Sequence, residues 1–148
     1  MNKKQASSRK RKENFNFPIK KKRSGKKILI VDDEKEIRDL IRETLTIDEF
    51  NVFEAESGDL ALKVIREQNP DLILMDVVMP GSLNGFDVCC KIKADETTKK
   101  IPVLFLTAFP VKEVKKCEIC EEQFFYKPFS PIQLVNKIYD VLNSKIKF

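Results

Sequence analysis

The sequence has no histidine and no tryptophan, and only four glycines in 148 residues. Without histidine there is no Ser-His-Asp triad, no Cys-His pair, no histidine-ligated zinc and no phosphohistidine. Any phosphoryl or metal chemistry must therefore use carboxylates, lysines, hydroxyls or thiols. No apolar run approaches the ~18 residues that a membrane span requires, and no apolar signal core lies near the N-terminus. We therefore expect a cytoplasmic chain without a membrane span.

Charge is unevenly distributed along the chain, whose formal net charge is +5. Residues 1–27 hold 12 of the 28 Lys and Arg residues but one of the 23 acids, so they carry +11 and residues 28–148 carry −6. The basic segment has no amphipathic period and too few apolar residues to order itself by burial. We predict a disordered basic arm over residues 1–26 and one domain over residues 27–148.

Short apolar runs alternate with amphipathic segments from residue 27 onward. The runs predict strands at 28–31, 50–53, 72–75, 103–106 and 124–126. Helical spacing predicts helices at about 37–45, 58–68, 86–94, 112–121 and 131–142, with Ser57 and Ser130 as N-caps. Alternating strands and helices predict an α/β fold with a parallel sheet. We expect a flavodoxin-like, doubly wound (βα)5 fold with strand order 2-1-3-4-5.

Four of the five predicted strands end in a polar or charged residue. Asp32 and Asp33 follow the first strand, Asp76 the third, Thr107 the fourth and Lys127 the fifth. The carboxyl ends of parallel strands lie along one edge, and open α/β sheets bind ligands there, at the point where strand order reverses. In the order 2-1-3-4-5 this point lies between strands 1 and 3, which are the strands that end in aspartates.

The predicted grouping of three carboxylates points to phosphoryl chemistry. Neighbouring carboxylates raise one another's pKa unless a cation neutralises them, and Mg²⁺ prefers such oxygen ligands. Lys127 adds a positive charge and Thr107 a hydroxyl donor, so a phosphoryl group would find partners for its oxygens. A carboxylate can then act as the nucleophile and form an acyl phosphate.

The segments at these strand ends resemble those of the response-regulator receiver domain of two-component signalling. The resemblance covers roughly residues 26–145. It rests on four motifs: Ile-Leu-Ile-Val-Asp32-Asp33, Leu-Ile-Leu-Met-Asp76-Val-Val-Met-Pro80, Phe-Leu-Thr107-Ala108 and Tyr-Lys127-Pro128-Phe129. It implies that Asp76 accepts a phosphoryl group from a partner histidine kinase or phosphotransfer protein.

The resemblance also implies a role for each residue around Asp76. Asp33 would ligate Mg²⁺ directly, Asp32 mainly through water, and the backbone carbonyl of Val78 would complete the protein ligands together with Asp76. Thr107 would hydrogen-bond the phosphoryl group, and Lys127 would pair with Asp76 or its phosphate.

Two further implications concern the region around Lys127. The Lys127–Pro128 peptide bond is expected to be cis. The aromatic switch position of the family lies three residues before this lysine, which places Phe124 there. Phosphorylation would draw Thr107 inward and let Phe124 follow, reshaping the face of helix 4, strand 5 and helix 5 that meets a downstream protein. Phe124 lacks the hydroxyl that a tyrosine would bring.

Interpretations of the same residues that involve no phosphoryl transfer remain open. Asp32 or Asp33 alone reads equally well as a helix cap, although the coincidence with Asp76, Thr107 and Lys127 disfavours a purely structural role. A degenerate receiver that binds without being phosphorylated is a second alternative. Cys117 and Cys120 have the spacing of a redox or metal motif. We favour four reduced, structural thiols, because Cys89 and Cys90 fall at core spacing from Phe86.

Three function classes follow. We favour a stand-alone receiver, not an enzyme in the ordinary sense, whose output is protein contact or onward phosphotransfer, because no residues remain after the last helix for an output domain. In the competing class the arm of residues 1–26 binds nucleic acid or another polyanion, and the receiver is its switch. A small Mg²⁺-dependent hydrolase is disfavoured because no second catalytic acid or base is visible.

Overall fold

The computed structural model describes residues 25–108 and 124–144. Its strands are β1 (Lys27–Val31), β2 (Asn51–Ala55), β3 (Leu72–Asp76), β4 (Val103–Thr107) and β5 (Phe124–Tyr126). Its helices are α1 (Lys35–Ile47), α2 (Gly58–Gln68), α3 (Gly85–Ala94) and α4 (Pro131–Asn143). The predicted helix at 112–121 lies outside the described residues, so α4 is the fifth helix of the sequence prediction.

The five strands form one parallel sheet in the order β2-β1-β3-β4-β5, which confirms the predicted order. Strand β2 lies on one side of β1, and the three later strands lie on the other. The direction of winding therefore reverses between β1 and β3. This places the crevice of a doubly wound sheet between the carboxyl ends of these two strands.

The sheet is buried on both faces because successive side chains of each strand point to opposite sides. In β1, Leu29 and Val31 face α2 and α3, while Ile28 and Ile30 face α1 and α4. Both faces are covered, so the strands read as continuous apolar runs rather than as alternating ones. A rigid three-layer core thus supports the loops at the carboxyl edge.

Local signals fix where the helices begin. Ser57 accepts a hydrogen bond from the backbone N–H of Leu60 at 3.2 Å, and Ser130 accepts one from Gln133 at 3.1 Å, which confirms both N-caps. In return, the side chain of Gln133 accepts from the N–H of Ser130 at 3.0 Å, completing a capping box that fixes the start of α4.

The bounds predicted for the second strand are wrong. The second strand begins at Asn51 rather than Phe50 and continues to Ala55. Phe50 instead closes the end of α1: its N–H donates to the carbonyl of Leu45 at 3.3 Å, after Glu49 turns the chain with φ of 64°. Its apolar ring is buried in the core. In sequence it therefore resembles the first residue of a strand, although its backbone belongs to the turn after α1.

Candidate functional site

The end of β1 carries one buried and one exposed aspartate. Asp32 is 1% exposed, whereas Asp33 faces solvent. The backbone N–H of Asp32 donates to Ala55 on β2 at 3.2 Å, and its side-chain Oδ1 accepts from the N–H of Glu34 at 2.9 Å. Asp32 thus forms an Asx turn that leads into α1, but it does not cap this helix, whose N-cap is Glu34 without a side-chain cap hydrogen bond.

Asp76 is the last residue of β3 and is half-buried. Its Oδ1 accepts a long hydrogen bond of 3.4 Å from the N–H of Val78. The loop that follows returns close to the strand, where the N–H of Gly85 donates to Val77 at 2.9 Å. A Cβ at position 85 would overlap the carbonyl oxygen of Asp76 and lie 3.0 Å from Met75 Cγ, so only glycine fits there without displacing Asp76.

Asp32, Asp33 and Asp76 form the acidic cluster of this edge. One carboxylate oxygen from each lies within 4.8 Å of the others. The pKa of Asp76 is raised to about 6, mainly by burial and then by the negative charges of Asp32 and Asp33, while Lys127 and the N–H of Val78 oppose the shift. The raised pKa of Asp76 thus reflects its burial first and its negative neighbours second.

A hard divalent cation fits this cluster. Mg²⁺ takes oxygen ligands, commonly one or two carboxylates with waters and phosphate, and the three carboxylate oxygens at this spacing can supply them. A bound cation would also remove the repulsion that raises the pKa of Asp76. The donor set contains no sulfur and no imidazole, so it favours Mg²⁺ over a softer metal.

Thr107 ends β4, the strand next to β3, and Lys127 follows β5 at the side of the sheet. Thr107 is 3% exposed, and its carbonyl accepts from the N–H of Lys127 at 2.7 Å. The Lys127 ammonium lies 3.4 Å from Asp32 Oδ2; the sequence led us to expect Asp76 or its phosphate as the partner. The Lys127–Pro128 peptide bond is cis, as expected.

Phe124 lies inside the core at the start of β5 and is 7% exposed. Its ring stacks on Phe105 with centroids 5.3 Å apart, meets Phe86 edge-on at 6.2 Å and stacks on Tyr126 at 6.4 Å. Tyr126 is 49% exposed. A continuous row of rings therefore connects α3 and β4 with the outer surface next to Lys127.

The two cysteines within the described residues differ in state. Cys89 is a free, buried thiol, and burial raises its pKa to about 11, which agrees with a structural role. Cys90, in contrast, is disulfide-bonded, so the expectation of four reduced thiols is wrong for this residue. Adjacent helical positions point about 100° apart, and Cys90 accordingly leaves the core that encloses Cys89. Cys117 and Cys120 lie outside the described residues.

Sequence reasoning brought together the five strand-end residues but missed the role of Gly85. The sequence shows Gly85 only as one glycine of a loop. Its close approach to Asp76 depends on the path of the chain from Val77 to Asn84, which no local pattern specifies. The sequence did offer one signal. Gly85 follows the N-cap Asn84 directly, and most residues could occupy that first helical position, so a glycine there suggests a close approach.

Comparison with known proteins agrees with this architecture. The family model described as the response regulator receiver domain matches residues 28–139. The chain therefore belongs to the response regulator receiver domain family, whose members carry signals in two-component systems and generally bind Mg²⁺ at an acidic pocket.

Curated relatives include several transcriptional regulators. The phosphate regulon transcriptional regulatory protein PhoB of Pseudomonas aeruginosa is 39% identical over 120 residues, which cover 80% of this chain and 52% of that protein. The transcriptional regulatory protein ResD of Bacillus subtilis is 39% identical over 118 residues, which cover 78% of this chain and 48% of that one. The chain thus spans about half the length of these relatives.

Other matches have different contexts. Histidine kinase P4 of Formosa agariphila is 35% identical over 122 residues, covering 81% of this chain but 9% of the kinase. The solved structure of chemotaxis protein CheY4 of Vibrio cholerae has a TM-score of 0.70 and 29% identity, covering 80% of this chain and 99% of that one. Within the part of the chain that is described, no helix is long and apolar enough to span a membrane.

Proposed function

We propose that this protein is a phosphorelay receiver that accepts a phosphoryl group on Asp76 from the phosphohistidine of a histidine kinase or phosphotransfer protein. The observation that carries the proposal is the acidic cluster itself. Three carboxylate oxygens lie within 4.8 Å of one another at the crevice of the sheet, and the ammonium of Lys127 lies 3.4 Å from one of these carboxylates. Family membership supports the same chemistry.

The transfer is a substitution at phosphorus. A carboxylate oxygen of Asp76 forms the new P–O bond while the P–N bond of the donor phosphohistidine breaks, and the imidazole nitrogen leaves with that electron pair and takes up a proton. Mg²⁺, when bound, would neutralise charge on the phosphoryl oxygens. We assign it to Asp33 and Asp76, to the backbone carbonyl of Val78 and, mainly through water, to Asp32.

The remaining residues act on the phosphoryl group after transfer. Thr107 would donate its hydroxyl to one phosphoryl oxygen, and Lys127 would shift from Asp32 towards the new negative charge. The N–H of Lys127 is bonded to the carbonyl of Thr107, so a displacement of one backbone would be felt by the other. Phe124 precedes Lys127 by three residues and lies in the ring row, so it is positioned to follow this movement.

We further propose that the signal leaves through the surface of β5 and α4, together with the predicted helix at 112–121. A groove on this surface is lined by Phe125, Tyr126 and Phe129 from the β5 side and by Gln133 and Lys137 from α4. The exposed ring of Tyr126 and the partly buried rings of Phe125 and Phe129, beside polar groups, suit a protein partner. The receiver domain would then occupy residues 27–148, with residues 1–26 as a separate basic arm.

Intact-protein mass after incubation with Mg²⁺ and acetyl phosphate tests the proposal. We expect one phosphoryl adduct in the wild type, none in Asp76→Asn and none when EDTA is present. Asp140→Asn, which removes an exposed aspartate of α4, serves as the matched control and should form the adduct. If the wild type forms no adduct and also fails to bind beryllofluoride, phosphoryl acceptance on Asp76 is wrong.

A second function is favoured by the +11 charge of residues 1–27. We propose as the alternative that this arm binds nucleic acid or another polyanion, with the receiver as its switch. Such binding releases counterions, so it should weaken steeply with salt and vanish when residues 1–25 are deleted. Fluorescence anisotropy with a labelled DNA duplex and with heparin measures both effects. Binding that survives either change would contradict the alternative.

A further inference from the structure

We propose that Arg38 is a positioning residue for the acidic cluster. Its guanidinium holds the backbone carbonyl of Asp32 and thereby fixes the turn between β1 and α1 that carries Asp32 and Asp33. The inference rests on the proposed Mg²⁺ site, because its consequence is the affinity of that site for the cation.

The contacts of Arg38 join three elements at one point. From α1, its Nη1 donates to the carbonyl of Asp32 at 2.8 Å, and its Nε lies 3.1 Å from Glu54 Oε1 on β2. The side chain of Arg38 is 12% exposed, so solvent screens these interactions little. Glu54 stands beside Ile30 in the ladder between β2 and β1. Arg38 therefore ties the end of β1 to the neighbouring strand through its side chain.

Each hydrogen-bonding group of Asp32 has a partner, and Arg38 is one of these partners. Its N–H donates to Ala55, its carbonyl accepts from Arg38, and its two side-chain oxygens contact the N–H of Glu34 and the ammonium of Lys127. Asp33 is the next residue and is exposed, so the placement of its carboxylate depends on this fixed backbone. Ligands that are already in place lose less freedom when a cation binds, which favours tight binding.

The charge of Arg38 and its hydrogen bond to Asp32 predict opposite changes in Mg²⁺ affinity when Arg38 is removed. A cation near three carboxylates repels a divalent cation, so the loss of its charge alone would tighten Mg²⁺ binding. If Arg38 acts by holding the carbonyl of Asp32, its loss would weaken Mg²⁺ binding, although one positive charge has been removed. The sign of the change therefore separates the two roles.

Arg42 provides the matched control. It lies one turn further along α1 and shares Glu54 with Arg38, with its Nη1 2.6 Å from Glu54 Oε2, and it also contacts Asp39 at 3.1 Å. Arg42→Gln removes the same charge from the same ion-pair network while the bond from Arg38 to Asp32 stays. Arg38→Lys keeps the charge but cannot bond Asp32 and Glu54 with one planar fork.

The experiment is a Mg²⁺ titration of the full chain followed by amide NMR. We expect Arg38→Gln to weaken Mg²⁺ binding about tenfold, as for other residues that orient metal ligands. Arg38→Lys should also weaken it, and Arg42→Gln should bind as the wild type does. Binding to Arg38→Gln that equals or exceeds that of the wild type would overturn the inference. If Arg38→Gln does not fold, Arg38→Lys decides in the same way.

Amide hydrogen exchange without metal separates this inference from the proposed function. If the wild type binds no Mg²⁺, the proposed metal site is wrong, but the exchange of the Glu34 amide still reports the turn. Arg38→Gln should then lose protection at Glu34, whose N–H is bonded to Asp32 Oδ1, while Arg42→Gln keeps it. Equal protection in the two variants would contradict a positioning role.

Discussion

The ammonium of Lys127 lies 3.4 Å from Asp32 Oδ2, although 95 residues separate the two in sequence. Lys127 follows β5 at one edge of the sheet, and Asp32 follows β1, with β4 and β3 between them. The lysine side chain therefore reaches over the end of β3, where Asp76 lies. This contact places one positive charge beside the three carboxylates of the acidic cluster.

Replacing Lys127 with methionine should raise the pKa of Asp76 above about 6. The charge of Lys127 lowers this pKa in the present structure, so its loss favours the protonated carboxyl group. It should also tighten Mg²⁺ binding, since a competing cation is removed. Carboxyl ¹³C NMR titration of the metal-free protein measures the first effect and a Mg²⁺ titration the second. Lys100→Met, in the turn that precedes β4 at the amino ends of the strands, is the control. An unchanged pKa of Asp76 in Lys127→Met would show that the lysine does not act on Asp76.

Asp76→Asn should make the metal-free protein more stable at neutral pH. The pKa of Asp76 rises from 3.8 to about 6 on folding, so the folded protein binds this proton more tightly than the unfolded chain does. The ionised carboxylate therefore costs little stability below about pH 4, and the cost grows as the pH rises through 6. For a half-buried group screened by solvent we expect about 1–2 kcal/mol at pH 7.

Urea unfolding in EDTA, from pH 4 to pH 8, measures this effect. The advantage of Asp76→Asn over the wild type should be small at pH 4, increase to about pH 6 and then level off. Added Mg²⁺ should reduce it, because the cation stabilises the ionised carboxylate. Asp140→Asn should show none of this dependence. An advantage that does not vary with pH would mean that ionisation of Asp76 is not its cause.

Gly85→Ala should destabilise the fold and disturb Asp76. The new methyl group would overlap the carbonyl oxygen of Asp76, and relieving such an overlap costs about 1–3 kcal/mol. Gly81→Ala is a matched control: φ of Gly81 is 104° but no atom lies within 4 Å of its Cβ position, so it also costs stability without touching Asp76. Urea unfolding and the phosphoryl adduct are measured for both. A normal adduct in Gly85→Ala, at a stability equal to that of Gly81→Ala, would contradict this reasoning.

The acyl phosphate of the isolated protein should be relatively long-lived. Val78 lies two residues after Asp76 and is 67% exposed, and its apolar side chain cannot hold a hydrolytic water by a hydrogen bond. Phe109, which the sequence places two residues after Thr107, supports the same expectation but lies outside the described residues. Val78→Asn should shorten the lifetime several-fold, because an amide can orient a water near the phosphorus.

Loss of the phosphoryl adduct over time, followed by intact-protein mass after the donor is removed, measures the lifetime. Val78→Ile is the control and should decay as the wild type does. Rapid decay of the wild-type adduct, or equal rates for Val78→Asn and Val78→Ile, would show that this position does not govern hydrolysis.

The sequence predicted the fold well because the signals are local. Buried parallel strands produce continuous apolar runs, and Ser57 and Ser130 mark the helix starts through bonds three residues away. The edge location of Asp32, Asp33, Asp76, Thr107 and Lys127 followed from topology alone. By contrast, the boundary at Phe50 was misplaced because an aromatic residue that closes a helix looks like one that begins a strand.

The finer contacts of the site could not be predicted for a physical reason. The bond from Arg38 to the carbonyl of Asp32 depends on which rotamer reaches back along α1, and periodicity carries no information about that. The partner of Lys127 depends on side-chain reach across two strands. Whether Cys90 forms a disulfide likewise depends on three-dimensional packing, whereas the sequence shows only spacing and composition.

The row of rings from Phe86 to Tyr126 ends in a tyrosine whose intrinsic fluorescence can report on the site. The chain has no tryptophan and only two tyrosines, so tyrosine emission is not masked by a stronger fluorophore. Tyr126 stacks on Phe124, with centroids 6.4 Å apart and ring planes inclined by 17°. A shift of Phe124 would change the surroundings of Tyr126, and Tyr139→Phe would leave Tyr126 as the only tyrosine. A change of state at the acidic cluster should therefore be visible without any attached dye.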